Sequence, residues 1–456
     1  MKLELRLEPR IPALMSALTQ TLRVALSLMC ATLCISGCAG QGRSLMPTPT
    51  LYSTLNARHA FDQVPETLRN PSLDLLYFTN RIPDASSKRE LTYGSERSTS
   101  LAFGSVHVDI GPGLTWPELV DASQSAERRV PVTLEVVSTH EFGRYPPSPY
   151  VIRDVGSGFV RDPGVMAEHD KAEQTLGAEL KRRLAGTPKK EIGLSVHGFN
   201  ESFEEASIVA AELCHFLGRE QLCALFSWPA GGGGGLLRAY SRDRESGEFS
   251  VAPLKKAIRS IAGVPGIEKI HLLAHSRGAD VLLQAVQALM LEAYVFGEAP
   301  GDVLKIENLI LVAADVDAHV FLRYLTLYAS DPEMPSRWGK SELPSPFRET
   351  GRMTIYTSDA DRALWASTAL FRSVRRLGRL RAEDLTDHMR KFLAESGFID
   401  IVEVPRERVD FFGHGYYTNH PAVSSDLVAR IRYGLNPGDS GRALRPVAPP
   451  MVWAID

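Results

Sequence analysis

The sequence predicts an α/β fold: a mostly parallel sheet with helices on both faces, preceded by extra N-terminal strands. Three observations predict it. From about residue 165 onward, short apolar runs alternate with stretches of helical spacing, the pattern of β-α units. Most of those runs are continuously apolar, as strands buried on both faces require. Upstream, three further runs are β-branched or alternate with period two.

Composition sets the outer bounds. The chain has 456 residues, 44% hydrophobic and 23% charged, with a formal net charge of -3. That is an ordinary globular balance with no basic cluster, which excludes a nucleic-acid-binding protein. No metal or cofactor is implied, and no feature speaks to oligomeric state. Near the N-terminus Arg23 precedes an apolar run, residues 24–35. The run is too short to span a bilayer and has the length of a signal-peptide apolar core. It ends in Ile35-Ser36-Gly37-Cys38, which resembles the bacterial lipobox. The resemblance implies a lipoprotein-type signal peptide over residues 1–37, cleavage before Cys38 and acylation of its thiol. A plain secretory signal is the alternative. Ala39 is not Asp, and by analogy with enterobacterial sorting this points to the outer membrane, facing the periplasm. Residues 38–70, rich in Ser, Thr, Pro and Gly, read as a lipid-anchored linker.

Residues 71–164 form a β-rich N-terminal extension carried by LDLLYFTNR (73–81), LAFGSVHVDIG (101–111) and VPVTLEVVSTHEF (130–142). Residues 165–435 form the α/β domain. Its strands are IGLSVHG (192–198), QLCALFSW (221–228), KIHLLAH (269–275), ENLILVAA (307–314), RMTIYTS (352–358) and FIDIVEV (398–404), with helical segments between them. Residues 436–456, opening NPGDSGRALRPVAPP, read as a loose tail. Beyond Cys38 the mature chain keeps Cys214 and Cys223, which in an oxidising periplasm pair or stay as two buried thiols. Their spacing matches no common zinc motif. The run Gly231–Gly235 lacks the following Gly-Lys-Ser/Thr of a phosphate loop and reads as a loop after a strand. Pro229–Glu248 and Ser330–Thr350 have the length and the Gly/Pro content of lid segments.

The chemistry centres on Ala274-His275-Ser276-Arg277-Gly278, at the junction of a strand and a helix. A nucleophilic serine on a sharp strand–turn–helix needs small residues two positions before and after it, the pattern G-x-S-x-G. Here Ala274 replaces the first glycine. The competing reading makes Ser276 a helix N-cap. A serine needs a base, and the base an orienting carboxylate. In this arrangement they follow in the order Ser, Asp/Glu, His. His414 in Gly413-His414-Gly415 is the preferred base over His420, and His388 lies within a helical pattern. Asp361, just past a strand, is the preferred acid, followed by Asp359 and then by Asp315 or Asp317. The N–H groups of Phe199, in His197-Gly198-Phe199-Asn200, and of Arg277 are the expected oxyanion donors. His197 precedes the serine and reads as a histidine that braces its loop.

The set VHGFN, FSWP, LLAHSRGAD, LILVAADVDA, TIYTSDADRAL and GHGYY resembles the α/β-hydrolase superfamily. It is most similar to a bacterial esterase/lipase-like branch long catalogued only as a domain of unknown function. The likeness spans roughly residues 72–435. It implies Ser276 as nucleophile, His414 as base and Asp361 as acid. Arg277 stands where the family often has Met, a position that contributes its backbone N–H. The expectation is a serine hydrolase acting on a small-molecule ester or lipid. A thioesterase or amidase with the same residues, or a catalytically idle envelope lipoprotein using the fold as a binding scaffold, are the alternatives.

Overall fold

The computed structural model describes residues 43–53, 59–87, 91–233, 235–329, 347–348, 350–371, 375–407, 409–448 and 451–455. Fourteen strands are present among them: β1 (Arg43–Ser44), β2 (Ser72–Pro83), β3 (Tyr93–Ile110), β4 (Thr133–Arg144), β5 (Ile152–Asp154), β6 (Phe159–Arg161), β7 (Glu191–Val196), β8 (Leu222–Ser227), β9 (Lys269–His275), β10 (Ile306–Val312), β11 (Arg352–Thr357), β12 (Ile399–Glu403), β13 (Leu444–Ala448) and β14 (Val452–Ile455). Twelve make one sheet in the order β1-β4-β3-β2-β8-β7-β9-β10-β11-β12-β14-β13, while β5 and β6 form a separate hairpin. The eight strands from β2 to β14 in that order run parallel. Antiparallel strands close both edges. The expected α/β fold with its leading strands is what forms.

Continuous apolar strands explain the centre. Every residue of β10 is buried, as is all of β9 after its first. Helices Pro163–Ala185, Leu236–Ala262 and Gly278–Phe296 supply one core, with Leu176, Leu180, Ile258, Ile261, Leu282 and Leu283 among its members. Helix Phe203–Phe216 packs Phe203, Ala211 and Phe216 into a second core against β2, β3 and β4. A side chain of this kind contributes about 1.5–3 kcal/mol on full burial, so these cores dominate the stability.

Strand order also locates a crevice. From β7 the chain moves outward to β8, then returns to place β9 on the other side of β7. Loops leaving β7 and β9 therefore diverge, and the C-terminal ends of these two strands border a topological switch point, where ligands gather in open α/β sheets.

Three expectations are corrected. Residues 38–70 do not read out as a linker from Arg43 onward. β1 pairs with β4, and Leu45, Met46, Tyr52, Phe61 and Val64 are buried in the second core. The Tyr52 hydroxyl donates to the Phe216 carbonyl and accepts from Arg432, and Phe61 stacks on His215. Polar composition hid a few apolar anchors spaced too irregularly to show a period. The tail is corrected for the same reason: β14 extends the parallel sheet beside β12, and β13 covers it. Pro229–Glu248 is no lid loop, because a helix runs from Leu236 through Glu248 to Ala262. The signal peptide, Cys38 and residues 330–346 and 349 of the other expected lid lie outside the described residues.

Candidate active site

Ser276 directly follows β9 and holds φ +53°, the left-handed region that a non-glycine residue seldom occupies. Two hydrogen bonds fix it there. Its N–H donates to Val312 O at 2.9 Å, and its carbonyl accepts from Asp315 N–H at 3.1 Å. Helix Gly278–Phe296 is entered from Arg277, which has helical dihedrals. No side-chain hydrogen bond caps that entry, so the N-cap reading of Ser276 finds no support. Small residues are required because the loop after β7 presses on the turn. A Cβ on Gly278 would lie 2.3 Å from His197 O, and one on Gly198 would lie 3.0 Å from Ser276 Cβ. Ala274 is fully buried, and its methyl is accommodated where the usual motif has glycine.

His414 and Asp361 come together from the ends of β12 and β11. His414 Nδ1 lies 2.7 Å from Asp361 Oδ2, while Asp361 Oδ1 accepts from Leu364 N–H at 2.9 Å. Asp361 thus caps the following helix and orients the histidine with the same carboxylate. Burial, the largest single influence, disfavours charge on His414, but the charge and hydrogen bond of Asp361 together with the charges of Asp315 and Asp410 favour it and outweigh burial. The imidazole pKa is raised above its ordinary value. The His414 loop is wound around Asp410. Its Oδ1 accepts from the N–H of Phe412, Gly413 and His414, and its Oδ2 from Gly415 N–H. Next to the serine, the His275 ring packs 4.8 Å from both His414 and Tyr417. No hydrogen bond joins Ser276 to His414 among the described residues; such bonds tighten when substrate binds.

His197 braces its loop, as its position before the serine led us to expect. Its Nδ1 bonds to Gly198 O and its Nε2 accepts from Trp228 N–H, while the two rings stack 5.1 Å apart. Burial, seconded by the Arg81 charge, lowers its pKa to about 4, so the ring stays neutral. In the loop that follows, Gly198 N–H donates to Glu201 and Asn200 N–H to Asp243. Neither Phe199 N–H nor Arg277 N–H has an acceptor among the described residues.

The alternative acids are engaged elsewhere. Asp359 pairs with Arg381 and Arg406. Asp315 is buried, bound by Tyr240 and Ser367 hydroxyls and by Arg376, while Asp317 accepts from His319 N–H in the next helix. His420 caps helix Pro421–Ile431, and His388 sits in helix Asp387–Ser396. The Arg277 side chain turns away to pair with Asp280 at 2.8 Å. Cys214 and Cys223 are joined as a disulfide. Among the described residues no group of three or more His, Cys, Asp or Glu side chains is arranged to hold a metal.

Asp410 and Tyr416 escaped sequence reasoning. The Tyr416 hydroxyl accepts from Ala313 N–H and donates to Tyr356 O, tying the histidine loop to the segment that clamps Ser276. The signal available was the Asp four residues before His414 in a glycine- and aromatic-rich loop.

Residues 171–431 match the model of a family described as "Alpha/beta hydrolase of unknown function (DUF900)". No curated protein matches the chain.

Proposed function

The chain belongs to the alpha/beta-hydrolase family of unknown function DUF900, and from that premise we propose that it is a serine hydrolase cleaving a carboxylic ester through an acyl-enzyme. Family membership supports a hydrolase; the ester substrate and the residue roles are our reading. The observation that carries it is the 2.7 Å contact between His414 and buried Asp361, with the ring of His275, the residue before a serine held at φ +53°, packed 4.8 Å from that of His414.

In this reading Ser276 Oγ attacks the ester carbonyl and His414 Nε2 takes its proton. Asp361 keeps the other ring nitrogen protonated and stabilises the imidazolium. The negative charge on the carbonyl oxygen is met by the N–H groups of Phe199 and Arg277, the latter at a helix N-terminus. His414 then protonates the departing alcohol. In the second half it takes a proton from water, which attacks the acyl carbon, and returns it to Ser276 Oγ as the carboxylic acid leaves.

The test is turnover of p-nitrophenyl esters of increasing chain length by the purified protein beside Ser276→Ala. Loss of turnover in the variant supports the reading. Equal turnover by both proteins refutes it, and inactivity of the parent on esters, thioesters and anilides alike favours a binding scaffold. Preference for thioesters or anilides would reassign the bond cleaved.

We place the protein in the bacterial envelope as a lipoprotein acylated on Cys38, on the outer membrane facing the periplasm. The Ile35-Ser36-Gly37-Cys38 sequence supports this. Labelled fatty acid should enter the parent and not Cys38→Ser.

A further inference from the structure

We propose that Arg81, Glu201 and Asp243 are positioning residues that clamp the loop after β7, occupying the donors on either side of Phe199 and leaving Phe199 N–H open for the oxyanion. The proposal rests on the serine-hydrolase reading.

The loop runs His197-Gly198-Phe199-Asn200-Glu201 and passes close to the nucleophile: a Cβ on Gly198 would lie 3.0 Å from Ser276 Cβ, a tight contact. Its backbone donors are shared out unevenly. Gly198 N–H goes to Glu201 Oε1 at 3.0 Å and Asn200 N–H to Asp243 Oδ2 at 2.9 Å. Between them Phe199 N–H has no acceptor among the described residues. Phe199 is only half-buried, so its N–H is open to an incoming oxygen, and it stands between two occupied donors in the loop pressed against Ser276. Asn200 itself holds φ +57°, a left-handed conformation that Asn adopts more readily than most non-glycine residues.

The bonds that hold the loop come from within it and from two distant parts of the chain. Arg81, on β2 and 1% exposed, donates to Glu201 O at 2.7 Å, to Ala230 O and Gly94 O at 3.0 Å, and to Ser227 Oγ at 2.9 Å. Asp243, also 1% exposed, sits about two turns into the helix that follows the glycine run. It accepts from Gly231 N–H as well as from Asn200. Gly231, at φ +86°, lets the chain double back so that one carboxylate reaches both strand ends. Glu201 faces His275 Nδ1 at 3.5 Å. Burial opposes its charge, but the contact with His275 and the hydrogen bond from Gly198 N–H outweigh it, and its pKa is lowered to about 2. One cation between two anions makes the clamp self-compensating inside the fold. Arg81 lies outside residues 171–431, so the β-rich extension contributes directly to the candidate site.

The test compares the full protein with Asp243→Asn, which keeps the shape but cannot accept as a carboxylate from both N–H groups, and with Glu201→Met, which removes the acceptor for Gly198. Removing one oxyanion donor costs about 100- to 1,000-fold in kcat, so loosening one should cost about 10- to 100-fold. KM should stay within about twofold, and affinity for a boronic-acid transition-state analogue should fall by the same factor as kcat/KM. Fluorophosphonate labelling of Ser276 should slow in parallel. Glu245→Gln, an exposed carboxylate on the same helix, should leave all of these unchanged. A folded Asp243→Asn or Glu201→Met with kcat within about twofold of the parent overturns the clamp. A loss of kcat without the matching loss of analogue affinity does so too. Failure of the parent to label at all would instead overturn the serine-hydrolase reading beneath it.

Discussion

Replacing Asp361 by Asn tests the proposed acid with little change of shape. Asp361 is 1% exposed and makes two contacts: Oδ1 with Leu364 N–H and Oδ2 with His414 Nδ1. An Asn that keeps the Leu364 bond turns its NH2 toward His414. Nδ1 must then accept, the ring hydrogen moves to Nε2, and the nitrogen facing the serine is no longer a base. Rotating the amide to rescue the tautomer sets its NH2 against Leu364 N–H, two donors in a dry site, at a cost of about 1–3 kcal/mol. That alone holds the competent form down about 5- to 150-fold, at 1.4 kcal/mol per decade. Losing the charge that stabilises the imidazolium multiplies the effect, so kcat/KM should fall about 1,000- to 10,000-fold. The same carboxylate raises the His414 pKa against its burial. The base works only when deprotonated, so the parent should lose activity as pH falls through a value above the ordinary histidine range. In Asp361→Asn that limb should move to lower pH. The assay is the pH profile of kcat/KM on a p-nitrophenyl ester, with thermal melting to show that the fold is retained. Loss of less than about tenfold, or an acid limb that does not move, would refute the assignment.

Two further perturbations probe the frame. Tyr416→Phe leaves Ala313 N–H, at a residue with φ +48°, without its acceptor; stability should drop by about 1–3 kcal/mol with a loss of kcat, and an unchanged urea midpoint and kcat would count against this role. Glu212 is fully buried, and despite Arg43 and a hydrogen bond from Met46 N–H, burial raises its pKa to about 7. Because the folded-state pKa lies above the unfolded one, no cost arises below the ordinary carboxylate range; the cost grows as pH rises and reaches on the order of 3 kcal/mol above pH 7. Glu212→Gln should therefore gain melting temperature relative to the parent between pH 5 and pH 8, and a constant difference across that range would sink the idea.

The central strands were legible because burial on both faces writes itself as unbroken apolar runs: 269–275 and 352–358 match β9 and β11 within a residue. The order serine, aspartate, histidine was equally plain, since each follows a strand end. Asp361 was preferred to Asp359 on position and resemblance, and geometry agrees: both follow β11, and only Asp361 reaches His414. Arg81 and Asp243 left no trace, because they act largely through backbone groups, and in the case of Asp243 and Asn200 across 43 positions. Periodicity cannot register a partnership made with main-chain N–H groups. The edges failed for a related reason: a two-residue strand such as β1 is too short to show any period.

The packing of residues 43–53 against the body has a consequence for how far the molecule could roam. Were Cys38 acylated, only Ala39 to Gly42 would separate the lipid from Arg43, whose guanidinium donates to Thr418 in the helix just after the His414 loop. Five chain steps reach at most about 18 Å. A leash that short confines the domain to a layer beside the bilayer and turns its search for substrate into a nearly two-dimensional one. Esters dissolved in or docked on the membrane would then be met far more often than those free in the surrounding fluid.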